Sequence, residues 1–366
     1  MNIVLWGYYG SNYGDNIMME ILIDYFKKRN SRITLIDMFD NNLQKNYSHL
    51  GNDIKIEPFY KYSQYEKIKK VKEYSKSDIN IWGGGTIFTD EDGDGNFKSF
   101  SLIKLFGGKI AYVGVGIGNL TKRNRIWKTQ FLLSNSEFIV FRDEDSYKNA
   151  KRLSNNTDFF VAEDLAYAYF NNILDGSFNE NLNNKYIVVS WRNLNGYMDC
   201  NEEEKLMDRV VFCINEIVNK YEFQEVILVA LDTKYDHSSC ELLYSKFSKF
   251  GTKITYDKKS TIDNINKLIF NSKFHLSGRL HGSIASEIFG VPTLTLSYSP
   301  KIDYFYESIK SDGFINIHDL NIQPSNFERI INSRDSKFIN MNDKYQDSIL
   351  NFKYMDEFIY NQHGNK

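Results

Sequence analysis

The 366-residue chain is poor in the features that mark several protein classes. It holds three cysteines, Cys200, Cys213 and Cys240, in no paired or metal-ligand spacing. That argues against a disulfide scaffold or a zinc site and fits thiols kept in a reducing compartment. No stretch reaches about 18 uninterrupted apolar residues, so nothing is expected to span a bilayer. The first residues include Asp15 and Glu20 and lack a secretory apolar region. A formal net charge of −2 leaves no global basic field, so nucleic acid is not an expected partner. There is no internal repeat of about 20–50 residues and no low-complexity tract. What remains is ordinary globular usage, with 42% hydrophobic and 25% charged residues. A cytoplasmic protein of two domains is the expectation.

Strand-length apolar runs alternate with helix-length patterns along the chain. In the first half the runs are Asn2–Trp6, Ile33–Ile36, Ile79–Trp82, Lys109–Val113 and Phe138–Phe141. A helix pattern (Ile17, Ile21, Leu22, Tyr25, Phe26) follows the first of them. The polar stretch 171–184 breaks the pattern and is expected to be an interdomain linker. Alternation then restarts with Tyr186–Ser190, a helix around Leu206–Val218, Val226–Ala230, a helix from about Tyr235, and Lys253–Thr255. A helix near Phe327–Ile331 and a helical tail over Asp343–Tyr360 complete the chain. The pattern predicts an α/β fold of two Rossmann-like doubly wound domains facing a cleft. The expected boundaries are 1–175, 176–340 and a C-terminal tail 341–366. In such sheets, ligands bind beyond the carboxyl ends of the strands.

The loops at those ends carry the candidate chemistry. Ser277-Gly278-Arg279-Leu280-His281-Gly282-Ser283 follows a short apolar run and opens a helix pattern that ends at Gly290. A helix N-terminus favours an anion. Arg279 adds a fork that fits phosphate or carboxylate, and His281 can move protons near neutral pH. Gly7 to Asn16 links the first strand to its helix; Asp15 is a candidate proton acceptor there, while Asn16 or Asp15 as a helix cap is the plainer alternative. Gly83-Gly84-Gly85 suggests close approach of a ligand or another backbone, with a plain tight turn as the equal alternative. Arg142 either faces the cleft or pairs with neighbouring acids. Arg192 and Lys301 sit at further strand ends and could bring positive charge to the same place. The acidic loop Asp90–Gly95 lacks a twelfth-position glutamate (Ser101 stands there) and reads as solvated. His275 lies inside a strand-like run and reads as a core residue.

Taken together, these loops resemble the polysaccharide pyruvyl transferase family. The resemblance rests on Asn12-Tyr13-Gly14-Asp15, Gly83 to Gly85, Gly114-Val115-Gly116, Arg142-Asp143-Glu144-Asp145-Ser146 and Asp164-Leu165-Ala166, followed by Arg192, Arg279-Leu280-His281-Gly282, and Gly290-Val291-Pro292 with Lys301. The match runs in order from about residue 2 to 305. One position departs: Asp164-Leu165-Ala166 stands where many relatives carry Asp-Pro-Ala.

The resemblance implies a GT-B-type architecture and transfer of pyruvate from phosphoenolpyruvate onto two hydroxyls of a sugar, leaving a ketal. It assigns donor contacts to Arg192, Arg279 and His281. His281 and Asp15 are the expected acid and base. Leu280, Lys301, Gly10, Asn12, Gly84, Gly85 and Arg142 complete the expected substrate contacts. Neither a cofactor nor a metal is expected. The acceptor would be a sugar on a lipid-linked or nucleotide-linked intermediate of a cell-surface polysaccharide. A lipid-linked acceptor would bring the protein to the inner membrane face, where Lys67 to Lys76 offers a basic contact or simply a solvated helix face. Two alternatives remain: a GT-B-type glycosyltransferase with a nucleotide-sugar donor, and a non-catalytic anion-binding scaffold.

Overall fold

A computed structural model describes the chain except for residues 42, 44–46, 48–52, 91–92, 175–184, 259–260, 320, 334–340 and 361–366. It divides into two compact units. The first comprises Met1–Gly10, Asp15–Asn171 and Asn342–Lys366; the second comprises Ser11–Gly14 and Asn172–Met341.

The first unit is built on an eight-stranded parallel sheet. Its strands are β1 (Asn2–Trp6), β2 (Arg32–Ile36), β3 (Ile54–Glu57), β4 (Ile79–Gly83), β5 (Thr86–Phe88), β6 (Ile110–Ile117), β7 (Ile139–Phe141) and β8 (Phe159–Val161). The order is β3-β2-β1-β4-β6-β7-β8, with β5 paired to β6. β1, β4 and β6 are buried on both faces, which explains their unbroken apolar sequences. Trp6 packs edge-on against Phe59, Tyr74 and Phe100, and its indole N–H donates to Asn80. Helix starts follow local chemistry. Ser63 and Glu66 form a capping box on Gln64–Tyr74, and Asp143 caps Glu144–Leu153.

The second unit is a six-stranded parallel sheet in the order β11-β10-β9-β12-β13-β14. Its strands are β9 (Tyr186–Ser190), β10 (Glu225–Val229), β11 (Ile254–Asp257), β12 (His275–Ser277), β13 (Thr293–Ser297) and β14 (Phe314–Asn316). Registers put Ser190 beside Val229 and Ser277, and Ser277 beside Thr295. The carboxyl ends of β10, β9 and β12 therefore finish level, β13 runs two residues further to Ser297, and the loops that leave them emerge side by side.

Two expectations change. The stretch read as a linker begins inside a helix, Leu165–Leu174, because its Asn171 and Asn172 still belong to that helix's last turn; residues 175–184 lie outside those described. The C-terminal helix Met341–Met355 is grouped with the first unit rather than standing apart. Met355 and Ile359 are buried, Tyr354 stacks on Phe160 and Phe358 on Phe138, and Arg29 pairs with Asp356 at 2.8 Å. Among the described residues no helix is long and apolar enough to cross a membrane. Met355→Ala should lower the unfolding free energy of the first unit by about 2–5 kcal/mol, the usual cost of such a cavity. Urea unfolding followed by circular dichroism measures it, and a change under about 0.5 kcal/mol would mean the helix is loosely held.

Candidate functional site

Four of the six strand ends of the second unit, those of β9, β10, β12 and β13, deliver polar side chains to one cluster. Two residues past β9 stands Arg192, and two past β12 stands Arg279. Tyr298 directly follows β13, and Lys301 lies in the first turn of the helix Pro300–Ser308. Asp232 and Asp236 follow β10.

Asp236 is fully buried and accepts four hydrogen bonds. Arg279 gives two, from Nε at 2.5 Å and Nη2 at 2.7 Å; the backbone N–H groups of Asn193 and Asp232 give one each at 3.1 Å. Asp236 stands at the N-cap of His237–Ser248 but makes no cap bond, since its carboxylate is turned to Arg279. Asp232 adds a second ion pair to Nη2 at 3.5 Å. Burial alone would lower the Arg279 pKa; the Asp236 carboxylate more than offsets that, with Asp232 adding to it. Nη1 alone of its three nitrogens makes no hydrogen bond among the described residues. Most of the Arg279 fork is thus committed inside the protein.

Arg192 is held differently. Its Nη1 meets the Tyr298 hydroxyl at 3.2 Å and its Nη2 the Tyr197 hydroxyl at 3.0 Å. The guanidinium lies 4.3 Å over the Tyr298 ring and 5.0 Å from the Tyr197 ring centre. Lys301 Nζ lies 5.2 Å from the Tyr298 ring. Burial would raise the Tyr298 pKa, yet Lys301, Arg192 and Arg279 bring it down to about 8. Arg192 Nε and Ser299 Oγ are buried with no hydrogen-bond partner among the described residues. Such orphaned groups are costly unless a ligand or water meets them.

His281 stands in the first turn of Leu280–Ile288, the helix Arg279 introduces. Its ring packs against Gly14, where any β-carbon would overlap the imidazole. Residues 11–14 are pinned beside β10 by Tyr13 N–H to Leu231 carbonyl at 2.8 Å and Thr233 N–H to Ser11 carbonyl at 3.0 Å. Leu280 is buried behind the loop. His275, read as core, is buried between the Ser190 and Ser286 hydroxyls, and desolvation lowers its pKa to about 3.

In the first unit Asp15 is half-buried near Gly85, where a β-carbon would come within 3.6 Å of its carboxylate. Gly84 has φ +72°, a conformation that side chains avoid. The Gly10 amide donates to Asn16.

Residues 12–300 match the family profile described as polysaccharide pyruvyl transferase. The chain belongs to that family. No curated protein matches it. Among solved structures it is similar to UDP-GlcNAc 2-epimerase from Methanocaldococcus jannaschii, with TM-score 0.67, 16% identity, and 96% and 98% of the two chains covered. It is likewise similar to S. aureus MnaA solved with UDP (0.65, 10%, 99% and 96%) and to UDP-GlcNAc 2-epimerase from Neisseria meningitidis bound to UDP-GlcNAc (0.58, 13%, 91% and 99%). These likenesses show the fold alone: two Rossmann-like units of GT-B type.

Two residues expected to contact substrate have partners inside the protein. Asn12 accepts from Gly14 N–H at 2.9 Å as a helix cap, and its amide donates to Asp232 at 3.3 Å. Arg142, largely buried, donates to Thr86 at 2.5 Å and pairs with buried Asp164 at 3.4 Å. The acidic loop is also internally used, as Asp90 accepts from Thr121 and Lys122, and Asp94 pairs with Lys128. Glu91 and Asp92 lie outside the described residues. Asp232, Asp236, Tyr197 and Tyr298 escaped the sequence reading. Of these only Tyr298 stood in a readable position, just after the strand-like run that ends at Leu296 and before Pro300-Lys301.

Two predictions follow from this geometry. Tyrosinate absorbance should show one phenol titrating near pH 8, lost in Tyr298→Phe. With its pKa below the unfolded value, the folded state binds fewer protons, so the group's stabilisation grows as pH rises from 8 towards 10 and is lost as pH falls through 8. A spectrum with no titration below pH of about 9.5 would contradict the cation cluster. Gly14→Ala should displace His281 and cut turnover by about 10²-fold or more, with circular dichroism unchanged. Wild-type turnover would show that the contact is dispensable.

Proposed function

We propose that the second unit binds phosphoenolpyruvate and that the chain transfers its pyruvyl group to two hydroxyls of a sugar. The observation that carries this reading is the half-buried cationic cluster of Arg192 and Lys301 around buried Tyr298, in which the buried atoms Arg192 Nε and Ser299 Oγ have no hydrogen-bond partner among the described residues. A donor with both a carboxylate and a phosphate needs more than one cation, because desolvating either anion is costly. Arg192 and Lys301 supply two, and Nη1 of Arg279 is available for a third contact. The helix N-terminus at Leu280 adds backbone N–H groups aimed at an anion.

In this scheme His281 delivers a proton to the methylene carbon of the enol. Positive charge then develops at the oxygen-bearing carbon, one sugar hydroxyl attacks there, and the C–O bond to phosphate breaks. A second hydroxyl of the same sugar closes on that carbon. The products are the ketal and inorganic phosphate; Asp15 takes a hydroxyl proton. No cofactor enters the scheme. The acceptor is a sugar of a polysaccharide precursor, carried on a lipid or a nucleotide.

Phosphoenolpyruvate at 100 times its Kd should stabilise the fold by about 2.7 kcal/mol, seen as a raised Tm that Arg192→Ala abolishes. His281→Gln should keep that stabilisation while lowering phosphate release by about 10²–10⁴-fold. Stabilisation by a UDP-sugar and none by phosphoenolpyruvate would replace this reading with nucleotide-sugar transfer.

A further inference from the structure

The helical layer of the first unit carries a surface that the transfer chemistry does not use. Three helices, Gln64–Tyr74, Phe97–Leu105 and Arg123–Asn135, lie side by side. Lys98 donates to Gln64 at 2.7 Å, Lys72 sits over the Phe106 ring, and Phe97 lies 5.2 Å from Trp127. Their inner residues, among them Val71, Phe100 and Leu132, enter one hydrophobic cluster. Their outer side is unusual. Tyr65 is 79%, Leu105 76%, Trp127 58% and Ile68 45% exposed. The three helices hold nine lysines and arginines against two glutamates in a chain whose total is −2, and Lys70, Lys104, Arg125 and Lys128 pair with the nearby Glu57, Glu137 and Asp94. Lys69, Lys72, Lys98 and Arg123 are exposed and have no carboxylate partner among the described residues.

We infer that this face docks the protein on an anionic lipid bilayer. Charge and shape both favour a bilayer. Exposed aromatic and leucine side chains suit the headgroup boundary, where Trp and Tyr concentrate. Lysine stems can lie along that boundary while their heads reach anionic lipid. Each such cation raises partitioning roughly fivefold on a negatively charged surface. RNA or an acidic protein would use the charge but leave Leu105 and Ile68 uncovered. The inference does not rest on the pyruvyl reading: vesicle binding without transfer activity would leave it standing, and transfer without vesicle binding would remove it.

The test uses the full chain and vesicles of phosphatidylcholine, with or without about one-third phosphatidylglycerol. Trp127 is the exposed one of the four tryptophans, since Trp6, Trp82 and Trp191 are at most 2% exposed, so its emission reports docking directly. Co-sedimentation with the anionic vesicles only, a blue shift, and release by high salt are expected. Lys69→Glu, Lys72→Glu and Lys98→Glu combined should weaken binding by at least about tenfold, with phosphoenolpyruvate stabilisation unchanged. Trp127→Phe should keep the binding and lose the shift. No co-sedimentation at low salt, or unchanged binding by the triple variant, overturns the inference. So does a lipid-free dimer in which Trp127 emission is already blue-shifted, which would assign the face to a second copy of the chain.

Discussion

One buried carboxylate organises the second unit. Asp236 is removed from water, and a lone buried anion would be prohibitive. It is tolerated because four donors converge on it, two from Arg279 and one each from the Asn193 and Asp232 backbones. Those donors come from the loops after β9, β10 and β12. The ion pair therefore clamps three strand ends at one point, and the position of everything attached to them follows. Removing either partner of such a pair strands the other charge, typically at about 3–5 kcal/mol.

The clamp also redistributes roles among the cations. Arg279 has the motif position that suggests a ligand hook, yet most of its donors face inward. Among the described residues the Arg192 guanidinium is bonded to two tyrosine hydroxyls and no carboxylate, and its buried Nε has no partner. Lys301 and Arg192 act on Tyr298 strongly enough to reverse the effect of its burial. On the proposed function, anion affinity would reside chiefly in Arg192 and Lys301, with Arg279 setting their frame. Gly14 packs against the His281 ring, so a residue from the N-terminal glycine loop and one from the arginine–histidine loop meet.

Much of this was legible beforehand. The strand, turn and helix around Arg279 showed as an apolar run, a glycine and a helical period, and β12 and the helix Leu280–Ile288 follow that outline. The long apolar runs of β1, β4, β6, β9 and β10 were readable for the same reason. β3, β5, β8 and β14, of three or four residues, were not read, although the equally short β7 and β12 were. Asp236 was invisible because an aspartate before a helix reads as a cap, and only its burial shows otherwise. The internal partners of Asn12 and Arg142 were unreadable for a related reason. Residue type and loop position can be read from a sequence, but the partners that consume a side chain, Asp232 for Asn12 and Asp164 for Arg142, are distant in the chain.

The most direct measurement is calorimetric titration of phosphoenolpyruvate into the protein and into a folded Asp236→Asn variant. By charge alone, deleting an anion near an anionic ligand should tighten binding. If the carboxylate instead fixes the strand ends that present Arg192 and Arg279, affinity should fall by about tenfold or more, the scale of a lost charged hydrogen bond. Equal or tighter binding by the variant would contradict the account.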